Sequence, residues 1–324
     1  MHIANPILVN AIRGDLVESF YRGAYVIMNA EGDLIDAAGD IDRLIYGRSS
    51  LKPLQALAVV TSGAMDHYRL LPHYVALCCA SHNGEQRHIL EVRKWLELLG
   101  FTEENLECGP IFPAYTEAAH HCIKNNELPS RLYHMCSAKH LGFLTVVSHL
   151  GMKAENYTKW DHPVQVYNRD ILSQMCEMDL HQAPHGIDGC QAPVVALSLR
   201  CFAQGIAKLA NPHILETSLR KAAVAVVSAM KTNPFFVAGT ERFCTDIAVK
   251  SEGKILAKMG AEGVFSAVIP DRGWGIALKM DDGHLKAAEV ALAKILHQHQ
   301  MLEDESFLRP LILNSNSQKV GWWE

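Results

Sequence analysis

Apolar residues along the chain change their spacing twice. From Leu8 to Ala37 they come in short strand-like runs, Ile12 and Leu16 and then Ala24-Tyr25-Val26-Ile27-Met28, broken at Arg13-Gly14-Asp15 and Glu31-Gly32-Asp33. Those breaks carry the residues of hairpin turns, so the segment predicts β structure. From Pro53 to about Met230 the step becomes three and four residues. Helices are predicted over Tyr74–Cys79, Arg87–Leu99, Glu117–Lys124, His140–Leu150, Val164–Met178 and Ala192–Leu209. Strand character returns at Lys254–Lys258, Val264–Ile269 and Gly273–Lys279, and an amphipathic helix from Leu285 to His297 is expected to close the chain. Strands at both ends and helices between them predict an α+β fold, its antiparallel sheet built from N- and C-terminal segments and packed with a large helical region. One domain over 1–324 is expected, with the helical region about 53–230 inserted between the sheet segments.

Composition narrows the partners. With 49% hydrophobic residues in 324, the chain has enough apolar surface for a large core. Lys and Arg number 30 against 35 Asp and Glu, a net charge of −5 with the signs interspersed, which argues against nucleic acid or an anionic membrane as partner. No apolar run reaches the roughly 18 residues of a membrane span, and Met1-His2-Ile3-Ala4-Asn5-Pro6 has neither a basic nor an apolar leader region. A cytoplasmic protein is expected. The nine cysteines fit no secreted framework and are expected to be mostly reduced.

Candidate chemistry begins at Gly47-Arg48-Ser49-Ser50-Leu51-Lys52-Pro53. This is an S-x-x-K at the opening of a helix, where residues three apart share a face and an amine can take a hydroxyl's proton as that hydroxyl attacks an acyl carbon. The stretch Cys79-Ala80-Ser81-His82-Asn83-Gly84-Glu85 sets small polar groups on a turn beside the core. It supplies a second hydroxyl at Ser81, while Ser81 or Asn83 could equally cap the next helix, and His82 reads as a general base or as structural. At Lys258-Met259-Gly260-Ala261-Glu262-Gly263 a lysine ends a strand and is followed by small residues that open a pocket edge. Lys254 is the local alternative. Cys136-Ser137-Ala138-Lys139-His140 and His185-Gly186-Ile187-Asp188-Gly189-Cys190 bring two thiols that would suit zinc with a third ligand, His140 or His185 being the ordinary choices.

Ser49-x-x-Lys52, Ser81-x-Asn83 and Lys258-x-Gly260, in that order, resemble the three motifs of the serine β-lactamase, penicillin-binding protein and serine-dependent glutaminase fold. The five stretches together resemble the rhizobial-type L-asparaginases over about Ile7 to Val320. That resemblance implies a homodimer of serine β-lactamase-like fold that hydrolyses L-asparagine to L-aspartate and ammonia. It implies two catalytic Ser-Lys pairs, Ser49 with Lys52 and Ser81 with Lys258, and a Zn2+ cofactor held by Cys136, Lys139 and Cys190 that supports substrate binding or site structure. Arg48, Asn83 and Asp188 would belong to the substrate pocket. A glutaminase or other serine amidohydrolase on the same fold is the alternative enzyme, and a zinc-stabilised binding or scaffold protein the alternative from another class.

Overall fold

The computed structural model describes residues 4–324. An eight-stranded antiparallel sheet forms the middle layer of an α+β fold of serine β-lactamase-like architecture. Its strands are β1 (Ile7–Arg13), β2 (Leu16–Asn29), β3 (Leu34–Ala38), β7 (Leu256–Gly260), β8 (Val264–Ile269), β9 (Trp274–Met280), β10 (Leu311–Leu313) and β11 (Lys319–Trp323), in the order β10-β11-β1-β2-β9-β8-β7 with β3 on β2. A smaller sheet orders β4 (Leu44–Tyr46), β6 (Pro193–Ser198) and β5 (His185–Ile187) as β4-β6-β5.

The long β2 curls the main sheet. Its first half, Leu16 to Arg22, pairs with β1, and its second half, Gly23 to Asn29, pairs with β9. Gly23 stands where the strand changes partner, and a Cβ there would lie 2.6 Å from the Lys279 carbonyl oxygen, so only glycine lets the strands approach. On one face of the sheet lies the helical region, including Pro72–Cys78, Gln86–Leu99, Ser137–His149, Pro163–Cys176, Leu199–Ala210 and Thr217–Thr232. On the other lie Leu285–Gln298 and Phe243–Lys250, so each face covers its own apolar core. Among the described residues no helix is long and apolar enough to cross a membrane.

Two expectations change. Ala192–Leu209 is half strand: Pro193 to Ser198 forms β6, and Ser198 then accepts a hydrogen bond from the Cys201 amide to open the helix at Leu199. The run Val194-Val195-Ala196-Leu197 is apolar throughout and carries no period that separates a buried strand from a helix. Nor does the helix at Leu285 close the chain. Beyond it β10 and β11 form a hairpin, and β11 pairs with β1.

Candidate active site

The small sheet positions the entrance. β4 and β5 both pair antiparallel with β6, so they run in the same direction and release Gly47-Arg48 and Asp188 at the same end. Arg48 there adopts a left-handed backbone, φ 49°, a conformation that costs a non-glycine residue about 1 kcal/mol or more. Its guanidinium is held to Asp188 Oδ1 through Nε (3.1 Å) and Nη2 (2.8 Å). Arg48–Leu51 is a 3-10 turn that leads into the helix Lys52–Gln55, with Pro53 near its start. In a 3-10 turn residues three apart eclipse each other, which sets Ser49 and Lys52 on one edge.

The main sheet clamps that turn from behind. Ser50 Oγ donates to the Val264 carbonyl at 3.1 Å, and Ser266 Oγ donates to the Ser50 carbonyl at 3.0 Å. At Gly260, the last residue of β7, a Cβ would lie 2.6 Å from Ser50 Oγ. Strand alternation on β7 turns Leu256, Lys258 and Gly260 toward the helical layer and Ala257 and Met259 toward the other core.

Lys258 therefore enters the centre that Lys52 and Ser81 already occupy. Lys52 Nζ donates to Ser81 Oγ at 3.1 Å and also contacts the Ala80 carbonyl, just past the end of the helix Pro72–Cys78. Ser81 Oγ lies 2.8 Å from Lys258 Nζ, which also donates to the Met259 carbonyl at 2.7 Å. All three residues are buried, at 2% exposure or less. Burial, and then the charge of Lys52, bring the Lys258 amine down from 10.5 to about 7. Lys254, the alternative, is exposed.

Lys52 and the half-buried Ser49 line a narrow cleft together with Arg48, Lys139, Asp188 and residues of the helix Pro163–Cys176. Ser81 and Lys258 connect to this cleft through Lys52. Asn83 packs under Gly239 and donates to the Thr240 carbonyl at 3.3 Å, away from the cleft lining. His82 is fully buried, burial pushes its pKa far down, and its Nε2 lies 2.9 Å from Ser137 Oγ. A neutral, structural histidine is the outcome.

Lys139 belongs to a different cluster. Its Nζ donates to Cys190 Sγ at 3.0 Å. Burial works against its charge, but the Cys190 and Cys136 sulfurs and the Asp188 carboxylate outweigh burial and hold its proton more tightly than usual. A hydrogen bond from Cys190 favours the Cys136 thiolate, whose pKa falls well below the ordinary thiol value.

The zinc expectation is corrected here. Among the described residues no group of three or more His, Cys, Asp or Glu side chains is placed to hold a metal ion. The third ligand of the expected set, Lys139, keeps its proton, and an ammonium has no lone pair to give. Of the two histidines, His140 binds the Tyr157 hydroxyl through Nδ1 at 2.6 Å and His185 stacks on Trp160. Cys136, Lys139 and Cys190 form an ion-paired cluster, and zinc is dropped as a cofactor.

Residues 9–324 match the family model described as L-asparaginase II. The chain belongs to the L-asparaginase II family. It is thereby an asparaginase/glutaminase-like amidohydrolase by family, and the hydroxyl and amines around the cleft are the groups such chemistry needs. Solved structures similar to this L-asparaginase II family chain include Mglu, at 16% identity over 88% of this chain and 69% of that one, with a TM-score of 0.48. A β-lactamase from Mycobacterium bovis is 12% identical over 86% of this chain and 94% of that one, with a TM-score of 0.42. A search of curated proteins gave no significant match.

One wall of the cleft lies outside every motif. Arg169 lines the cleft beside Gln165, Asn168 and Leu172, all from one face of the helix Pro163–Cys176. The signal was present in the sequence: Gln165, Asn168 and Arg169 are polar positions on the face that Val164 and Leu172 bury.

Proposed function

We propose that this chain is a rhizobial-type L-asparaginase that hydrolyses the side-chain amide of L-asparagine to L-aspartate and ammonia through an acyl-enzyme on Ser49. The observation that carries this reading is the buried Lys258 amine at about 7, joined through Ser81 to Lys52, one turn from Ser49 at the cleft. An amine with that proton affinity is poised to accept and return a proton near neutral pH.

Ser49 Oγ attacks the amide carbon while its proton passes to Lys52 and along Ser81 to Lys258. A tetrahedral oxyanion forms, stabilised by backbone N–H groups of the Arg48–Leu51 turn. The C–N bond then breaks as the relayed proton returns to nitrogen, ammonia leaves, and Ser49 is esterified. Water cleaves that ester by the same relay in reverse, releasing aspartate and the free hydroxyl. Compared with the sequence expectation, the base moves one step back: the amine brought down toward neutrality is Lys258, with Lys52 as the link between it and Ser49. Residues 1–324 act in this reading as one catalytic domain, in a homodimer.

Ammonia release from L-asparagine and L-glutamine by the purified protein and its Ser49→Ala variant tests it. The variant is expected to lose on the order of 10^4-fold or more in kcat while its fold is kept. Full activity in the variant overturns Ser49 as nucleophile, and release from L-glutamine alone replaces the substrate, because one methylene is worth only about 1–3 kcal/mol of discrimination.

A further inference from the structure

Two arginines line the cleft, and they differ in what neutralises them. Arg48 is ion-paired with Asp188. Arg169 is only 5% exposed, yet among the described residues no carboxylate lies within ion-pair reach of its guanidinium, and its Nε is buried with no hydrogen-bond partner. Its Nη1 donates to the Trp160 carbonyl at 2.6 Å, and the guanidinium lies 3.6 Å from the centre of the Trp160 ring. Trp160 in turn stacks on His185, with ring centres 3.8 Å apart and planes within 9°. These contacts fix the plane of the guanidinium without balancing its charge. Burial lowers its proton affinity, and the carboxylates of Asp170 and Asp161 oppose that only in part. A buried charge without a counter-ion is costly, and the cost is relieved when a ligand brings the opposite charge.

We propose that Arg169 is the substrate anchor of this cleft and binds the α-carboxylate of an amino-acid amide whose side-chain carbonyl meets Ser49. The inference rests on the amidohydrolase reading above and deepens it by naming the side chain that holds the substrate and selects it over amides that lack the carboxylate. A planar guanidinium suits a carboxylate because two parallel N–H groups can meet its two oxygens. Gln165 and Asn168 line the same wall, their amide nitrogens donating to the Tyr157 and Gln55 carbonyls, so the guanidinium is the group on this wall that brings charge to a ligand. Arg48 is less suited to the role, since its fork is already occupied by Asp188.

The test compares L-asparagine with 3-aminopropanamide, which is asparagine without its carboxylate, in wild type, Arg169→Gln and Arg169→Lys. Binding of L-aspartate is followed in parallel by the fluorescence of Trp160 and by calorimetry. Arg169→Gln is expected to lower kcat/KM for L-asparagine on the order of 10^2-fold, to leave 3-aminopropanamide within about twofold, and to weaken L-aspartate by a similar 10^2-fold. Arg169→Lys should fall between, keeping the charge and losing the fork, and it carries the comparison if the glutamine variant does not fold. Equal losses on both amides, or unchanged aspartate affinity, overturn the anchor. If wild type releases no ammonia from any amide yet binds L-aspartate through Arg169, the amidohydrolase reading falls and the anchor stands. If wild type releases ammonia and the substitution leaves aspartate affinity unchanged, the anchor falls and the amidohydrolase reading stands.

Discussion

Lys258 and Lys139 are both buried lysines, 1% and 5% exposed, and they hold their protons in opposite ways. Lys258 has a serine hydroxyl, a carbonyl and a second lysine around it, and its amine falls to about 7. Lys139 has two sulfurs and a carboxylate, and its proton is held more tightly than in water. Burial pulls both amines down, and what separates them is the sign of the neighbouring charge: Lys52 adds to burial at Lys258, while the sulfurs and Asp188 overcome it at Lys139. The same contrast separates a site that can move a proton from one that is locked as an ion pair.

The strongest way to break this comparison is Lys258→Met. It should cut kcat about 10^2- to 10^4-fold on the proposed substrate with no loss of stability at neutral pH, because it removes a proton acceptor and a like charge beside Lys52. A drop in stability would mean that Lys258 serves as a structural cation. Next comes Lys139→Met, expected to cost about 3 kcal/mol in denaturant unfolding by leaving the Cys136 thiolate buried without its cation. Adding Cys136→Ser should recover part of that loss, and additive losses would contradict the ion pair.

Gly260→Ala is expected to cost about 1–3 kcal/mol by driving a Cβ against Ser50 Oγ, and to slow turnover because the displaced turn carries Ser49. The smallest effect is on pH dependence. The Lys258 amine must be neutral to accept a proton, so kcat/KM should rise as pH climbs through about 7. Stability carries the same signature. Between about 7 and 10.5 the unfolded chain binds the proton that native Lys258 has lost, so this site makes stability increase with pH across that window. Lys139 has the reverse sign, its contribution being present below the ordinary lysine range and lost as pH rises through its raised value. Unfolding midpoints measured from pH 7 to 10 in wild type and Lys258→Met separate the two: the upward slope should weaken in the variant.

Local chemistry was the part that sequence made legible. Ser49 and Lys52 are three apart on a single turn, so their shared edge follows from chain geometry alone, and most helices lie within a few residues of the periodic stretches. What depended on tertiary surroundings was harder to see. Cys136, Lys139 and Cys190 do come together, but a spacing of thiols and an amine does not reveal which atom carries the proton, and that is what removes Lys139 as a metal ligand. Arg169 differs in kind: its polar position on the face shared with Val164 and Leu172 was readable, but that this face meets the cleft of Ser49 and Lys52 depends on tertiary packing. Asn83 has the residue type of a substrate contact and a place on the right turn, yet Gly239 and Thr240 cover it.

The curl of β2 has a consequence for how the molecule is made. That strand, complete by Asn29, finds its partner β9 only at Trp274–Met280, and β1 must wait for Lys319–Trp323. Ser49 and Lys52 likewise wait for Lys258. Contacts so distant along the chain pay their loop-closure entropy late and make folding slow. A ribosome thus releases most of this chain before its chemical centre can assemble, and during that interval the apolar face of β2 stands open to chaperones or to a wrong partner.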